Sequence, residues 1–442
     1  MNLLTEKMRP LYFRYLATAF GSTLISSIYT IVDMAMVGQY QGPSGTAALA
    51  VVAPMWNIIY SLGLLMGIGG SVLFSAQRGM QKQDCEENQF FTAAVIGSAV
   101  LSLLAWGALL LWETPVLRFF GADDALLPLA QRYLHPITYV FPLFLLNQML
   151  AAFLRNDGNP GLATLSVLAG GVFNVFGDYF CVFSLNMGVF GAGLATAIGA
   201  AISFAVMISH FFTRKNTLRL VWPKQLWKKL NAICITGFSS FFIDVAMGIL
   251  TVLFNRQIMT YLSADALSVY GPIINVSTFV QCCAYSVGQA AQPIFSTNFG
   301  AGKSARIREC LGYALWTTAF FAVFWTALSC AWPNLYIQVF MSPTETILSI
   351  APAMIRTYAL SFLLLPFNIF STYYFQAIMQ PRAAFLVSVM RGLLIIGALI
   401  LLLPGMLGPN ALWLAMPITE LATAVYAAWA MARHTRALPT FH

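Results

Sequence analysis

Four acidic residues stand inside long apolar stretches of this chain: Asp33, Asp178, Asp244 and Glu420. A carboxylate at the centre of a bilayer costs roughly 2.5 to 3.5 kcal/mol on insertion scales, so it is kept for a role other than stability. Asp33 lies five residues before Gly38 and Asp178 six residues before Ser184, each near the outer end of its stretch. At about 1.5 Å per helical residue those spacings become depths of ~7.5 and ~9 Å, which puts both carboxylates in one layer. Asn174 is one helical turn from Asp178 and on the same face, and Thr196, in the outer half of the next stretch, reaches a similar depth. Two carboxylates, an amide and a hydroxyl suit a hard cation such as Na⁺. They suit equally a proton shared between two like charges. The alternative is that Asp33 and Asp178 are hydrated structural residues near the interface.

The elements that must hold these groups are membrane helices. Only 9% of the 442 residues are charged and 59% are hydrophobic, with a mean hydropathy of +0.76, far from the composition of a water-soluble domain. Twelve stretches are long enough to span a bilayer, among them 11–38, 128–153, 162–184, 188–212 and 229–259. With an even number of spans, both termini and every loop after an even-numbered span share one side. That side takes nineteen of the twenty-three basic residues; Arg118, Arg132, Arg256 and Arg356 fall at or near the other. Positive charge stays inside, so both termini are expected in the cytoplasm of a bacterial inner membrane protein. The net charge of +8 is then a topology signal and an affinity for anionic headgroups, with no nucleic-acid partner implied. The first span has no short apolar core with a cleavage site and is expected to remain as a helix.

The second half of the chain repeats the first. Pro54 and Asn57 correspond to Pro272 and Asn275, Ser75 and Gly79 to Ser296 and Gly300, and Pro160 to Pro381, with Lys82 matching Lys303. The expected organisation is an N-lobe at 1–213 with the cation site, a basic cytoplasmic linker at 214–228, and a C-lobe at 229–442 with a short tail. Two lobes entering the membrane the same way form an arrangement that transporters use, with the substrate site at the midplane between them. Prolines at matching places predict helices that bend.

Other chemistries find less support. The seven cysteines form no redox or metal spacing, and Cys85 and Cys310 are expected near the reducing cytoplasm. The four histidines have no metal or triad spacing and receive no role. An intramembrane aspartyl protease would need glycine where Val175 stands before Gly177-Asp178, and a Tyr where Val32 precedes Asp33. No catalytic set is complete, and the chain is not expected to be an enzyme.

Three segments resemble one family. Ser27-Ile28-Tyr29-Thr30-Ile31-Val32-Asp33 is similar to the first helix of the multidrug and toxic compound extrusion (MATE) transporters, in their bacterial MepA-like branch. Phe153-Leu154-Arg155-Asn156-Asp157-Gly158-Asn159-Pro160 and Val287-Gly288-Gln289-Ala290-Ala291-Gln292-Pro293 resemble the same branch in its fourth and eighth helices. The resemblance implies an all-α polytopic fold of twelve helices in two pseudo-symmetric six-helix lobes. It implies drug/cation antiport by alternating access, with Asp33, Asn174, Asp178 and Thr196 on the positions that couple Na⁺ or H⁺, and Asn147 or Gln148 as further amides. It also exposes departures: Thr18 stands where many relatives have a helix-1 proline, Asp244 where the branch has Glu, and Asn255 at the C-lobe counterpart of Asp33. Asp244, Gln289 and Glu420 are assigned to the substrate cavity; for the two acids the alternative is a buried ion pair with Arg391.

The expected partners are small organic cations or drugs and membrane lipids. The chain is expected to act as a monomer, with no cofactor besides the transported ion. A lipid-linked or polysaccharide flippase of the same superfamily is the alternative, although its anionic cargo calls for a cationic cavity. A non-transporting receptor or scaffold would leave the paired acids without use.

Overall fold

The computed structural model describes residues 3–80, 86–340 and 344–438. Within them all regular structure is helical, as lipid demands, because only a helix satisfies its own backbone N–H and C=O groups within one segment. The first repeat holds α1 (Met8–Gln41), α2 (Pro43–Gly79), α3 (Glu86–Phe119), α4 (Leu127–Thr138), α5 (Phe141–Asn156), α6 (Pro160–Tyr179) and α7 (Val189–Ile208). The second holds α8 (Leu226–Tyr261), α9 (Ala264–Gly300), α10 (Ser304–Ala331), the short α11 (Pro333–Phe340), α12 (Glu345–Ala359), α13 (Leu365–Ala377), α14 (Pro381–Val389), α15 (Ile395–Leu407) and α16 (Ala415–Arg436). Lys82 and Cys85 lie outside the described residues.

Among the described residues eleven helical spans are long and apolar enough to cross a membrane, and a twelfth is a pair bent by 60°. That pair is α4 and α5, where the sequence reads as one uninterrupted span over 128–153. Pro136 near the end of α4 and Pro142 near the start of α5 each lack a backbone donor, and the chain leaves helical geometry at Val140 between them (φ −117°, ψ 9°). A smaller break falls in α3 at Trp112, three residues ahead of Pro115. Large apolar side chains are left on the outside, as on α10, where Trp316, Phe320 and Phe324 stack at helical spacing along one exposed face. Hydrocarbon is the environment in which such a face is stable.

The chain forms two compact units, one built around Ala17–Phe241 and the other from Leu4–Leu16 with Phe242–His442. Their boundaries therefore fall inside α1 and α8. In the second unit the start of α1 is fastened to α10: Tyr12 Oη pairs with Thr317 Oγ1 at 2.8 Å, and Arg306 Nη2 donates to the carbonyl of Glu6 at 2.8 Å.

The repeat is preserved down to single backbone hydrogen bonds. Before α6, the amide of Asn159 donates to the carbonyl of Leu154; before α14, Gln380 donates to Phe375, the positions 221 residues on. Each turn needs a left-handed residue, which is Gly158 (φ 78°) in one repeat and Met379 (φ 58°) in the other. Pro160 and Pro381 then open their helices at the first turn, where a missing N–H costs nothing.

The linker lies along the start of α3. Arg219 N donates to Asn88 Oδ1 at 2.8 Å, Val221 N to Thr92 Oγ1 at 2.9 Å and Lys224 N to Gln89 Oε1 at 3.0 Å. Three side chains on one face of α3 thus accept the N–H groups of a segment that has no secondary structure of its own. Replacing Asn88 by Leu together with Thr92 by Val removes two acceptors at about 1 kcal/mol each. Tryptic cleavage after Arg219 and Lys224 is expected to quicken roughly tenfold or more, because opening of the segment then costs less. Unchanged cleavage would show that these contacts do not hold the linker.

Candidate functional site

The layer of polar groups expected from the sequence is assembled in the first unit from four helices. Asp33 comes from α1, Asn174 and Asp178 from α6, Thr196 from α7 and Tyr133 from α4. Close backbone crossings make this possible. A Cβ on Gly170 of α6 would lie 2.5 Å from the carbonyl oxygen of Gly199 in α7, and one on Gly193 of α7 would lie 2.1 Å from the carbonyl oxygen of Tyr133 in α4. Any side chain at these crossings would push α7 away from the helices that carry the polar groups. Gly193→Ala is accordingly expected to cost about 2 to 3 kcal/mol in the manner of an overpacked core. It should also displace Tyr133, and thermal unfolding of the purified variant reads the first effect; a melt equal to wild type would show that the crossing tolerates a methyl group.

Within the site Tyr133 donates its phenolic proton to Asp33 Oδ2 at 2.9 Å. Asn174 Nδ2 donates to Thr196 Oγ1 at 3.1 Å and, at the limit of 3.5 Å, to Asp178 Oδ1. The Asp33 and Asp178 carboxyl groups are close enough to act on one another electrostatically. Asp178, Asn174 and Asp33 are all buried. Just beyond Asp178 the helix widens into a π-turn at Phe180–Ser184, a local irregularity often found at functional positions.

Three oxygens here find no hydrogen-bond donor among the described residues: Asp33 Oδ1, Asp178 Oδ2 and Asn174 Oδ1. A buried acceptor without a partner costs about 1 to 3 kcal/mol. Two ionised carboxylates held in one buried layer also repel one another. A cation with oxygen ligands, or a proton held between the carboxyl groups, relieves both costs at once. Among the described residues no cluster of three or more His, Cys, Asp or Glu side chains that could hold a metal ion is found, so any cation here would rest on two carboxylates and neutral oxygens. Asn147 is turned to the carbonyl of Ala200 at 3.0 Å.

The second unit has a different arrangement. Glu420 of α16 is fully buried and takes Arg391 Nε at 2.7 Å on one oxygen and Asn368 Nδ2 at 2.6 Å on the other. Arg391 stands in a π-turn at Met390–Leu394 that links α14 to α15. Asp244, on α8, makes no hydrogen bond or ion pair among the described residues, so the intramembrane arginine is committed to Glu420 alone. Gln289 on α9 keeps a buried Oε1 with no donor among the described residues.

Two groups were not singled out by sequence. Tyr133 is one hundred residues from Asp33 and has no spacing pattern that ties them. His210 is the other: it is fully buried, with Nε2 2.7 Å from Asp157 Oδ2 and Nδ1 3.1 Å from Asn159 Nδ2. Asp157 also takes Arg78 at 2.9 Å, the amide of Thr217 at 3.0 Å and the Thr217 hydroxyl. One carboxylate thus joins the ends of α2, α5 and α7 to the start of the linker. The available signal was its place in the Arg155–Pro160 motif; the histidine carried none.

A repeated set of six spans, proline-started helices and a pair of buried carboxylates in one repeat define a polytopic protein with a membrane-transporter fold. The MatE family profile matches the chain twice, over residues 19–180 and 239–401. The two matches begin 220 residues apart and end 221 apart, in step with the internal repeat. The chain belongs to the MatE family. It is 24% identical over 409 residues to the multidrug export protein MepA of Staphylococcus saprophyticus, covering 92% of this chain and 89% of that one. With MepA of Staphylococcus aureus strain NCTC 8325 it shares 23% over 386 residues, or 86% and 84%. The fold superposes with a TM-score of 0.90 on a multidrug resistance MATE family transporter of the MOP superfamily in an outward-facing conformation, at 18% identity over 99% of this chain and 98% of that one.

Proposed function

We propose that this protein is a secondary active multidrug efflux antiporter. It exports organic cations by alternating access in exchange for Na⁺ or H⁺, from a bacterial inner membrane in which both termini are cytoplasmic. The observation that carries this reading is the set of three donor-less oxygens on Asp33, Asp178 and Asn174 in one buried layer. The names of the MepA relatives support the drug export, and the distribution of basic residues supports the orientation. The incoming cation binds at Asp33 and Asp178, with Asn174 and Thr196 as neutral oxygen donors and Tyr133 holding Asp33 in place. Neutralising the pair removes its attraction for a cationic drug in low dielectric. Coupling follows when the inorganic cation favours the state that holds the drug weakly.

In the second unit Arg391 is already neutralised by Glu420. Asp244, within its span, makes no ion pair among the described residues, and its charge would attract cationic rather than anionic cargo, which argues against a flippase of anionic lipids. The test is efflux of a fluorescent organic cation from proteoliposomes, driven separately by a Na⁺ gradient and a pH gradient. Flux with one gradient names the ion. No flux with either overturns the antiport reading.

A further inference from the structure

A groove of about 550 Å³ lies in the second unit between α10, α13 and α16. Its two ends differ in chemistry. At one end stand Arg308, in the second turn of α10, and Arg436, the last residue of α16, with the hydroxyl of Thr435 beside them. Both arginines are exposed, and neither makes an ion pair among the described residues. Away from that end the walls are apolar. Leu311 and Leu315 continue the Arg308 face of α10 for two turns, about 10 Å, and Phe367 closes one side. On α16, Ala432 and Ala428 recede one and two turns from Arg436, and their small side chains leave the space open.

From this we infer that the groove is a binding site for an anionic glycerophospholipid, its phosphate between Arg308 and Arg436 and one acyl chain along Leu311, Leu315 and Phe367. Guanidinium groups bind phosphate oxygens through charge-assisted hydrogen bonds, and two of them line this one groove with no ion pair among the described residues. The apolar length matches a ligand whose charged head continues into hydrocarbon. A free phosphate would leave the apolar walls uncovered, and an organic cation would meet two positive charges. The volume lies within the usual range of small-molecule sites. Both arginines sit at helix ends, at the depth where basic side chains meet headgroups. The inference needs the membrane location alone and stands whether or not drug efflux is shown.

The experiment is thermal unfolding of the purified full chain in an uncharged detergent, titrated with phosphatidylglycerol, with phosphatidylcholine or with sodium phosphate. Phosphatidylglycerol is expected to raise the melting temperature in a saturable manner, since a ligand that binds only the folded state stabilises it. Phosphatidylcholine and phosphate are expected to leave it unchanged. Arg308→Gln and Arg436→Gln should each weaken the apparent affinity roughly tenfold. Ala428→Trp, which fills the groove at an exposed position, should abolish the saturable response. Arg433→Gln, whose guanidinium lies over Trp429, should keep it. Equal responses in the wild type and both glutamine variants would overturn the inference. So would an equal response to phosphatidylcholine, which would assign the effect to bulk lipid, or to phosphate alone.

Discussion

Asp178→Asn is expected to lower gradient-driven efflux of an organic cation by roughly 100-fold or more, with the purified protein still folded. Asparagine keeps the size of the side chain and can still bond Asn174, but it removes the charge and one of the donor-less oxygens that a cation would use. Charge-assisted contacts contribute about 1.5 to 3 kcal/mol each, and each 1.4 kcal/mol is a factor of ten. Asp33→Asn should behave alike, because the two carboxyl groups form one site. Thr196→Ala removes a neutral donor whose hydroxyl already accepts from Asn174, so its effect should be near threefold to tenfold. This order, with both aspartates far above the threonine, is what separates an ion site from a structural network. Proteoliposome flux under the driving gradient measures it. Wild-type flux in Asp178→Asn would remove the first unit from the coupling mechanism.

Much of this site was legible in the sequence because depth in a membrane helix is a linear count. Five residues from Gly38 and six from Ser184 placed Asp33 and Asp178 in one layer, and a spacing of four put Asn174 beneath Asp178. The carboxylates could be noticed at all because their surroundings are apolar. What sequence could not show is contact between residues remote in the chain. Tyr133 reaches Asp33 from α4, a helix that α7 approaches at Gly193 by a distance no side chain would permit. The bend between α4 and α5 was masked for a related reason: hydropathy is continuous across it, although the two prolines that cause it were in plain view. In sequence the linker shows only its basic charge. In the structure three of its N–H groups are taken up by Asn88, Gln89 and Thr92, more than a hundred residues away in the chain. His210 escaped notice because a partner at the far end of two helices leaves no periodic trace.

Glu420→Gln is expected to destabilise the protein by about 3 to 5 kcal/mol, because it leaves the Arg391 guanidinium buried without a counter-charge. The opposite truncation should cost less. In Arg391→Met the remaining carboxyl group keeps Asn368 as a donor to its side chain and can take up a proton, an escape that arginine lacks. The double variant Arg391→Met with Glu420→Leu replaces both charges by apolar groups of similar volume, and most of the lost stability should return. That triple comparison also decides what the pair is for. If it serves only to fix α16 against the turn joining α14 and α15, the double variant should unfold near the wild-type temperature and still transport. If Glu420 attracts cargo, the double variant should be stable and inactive, and Asp244→Asn should share its phenotype. The first outcome is expected: both partners are almost wholly removed from solvent and Glu420 is fully paired, whereas Asp244 makes no hydrogen bond or ion pair among the described residues.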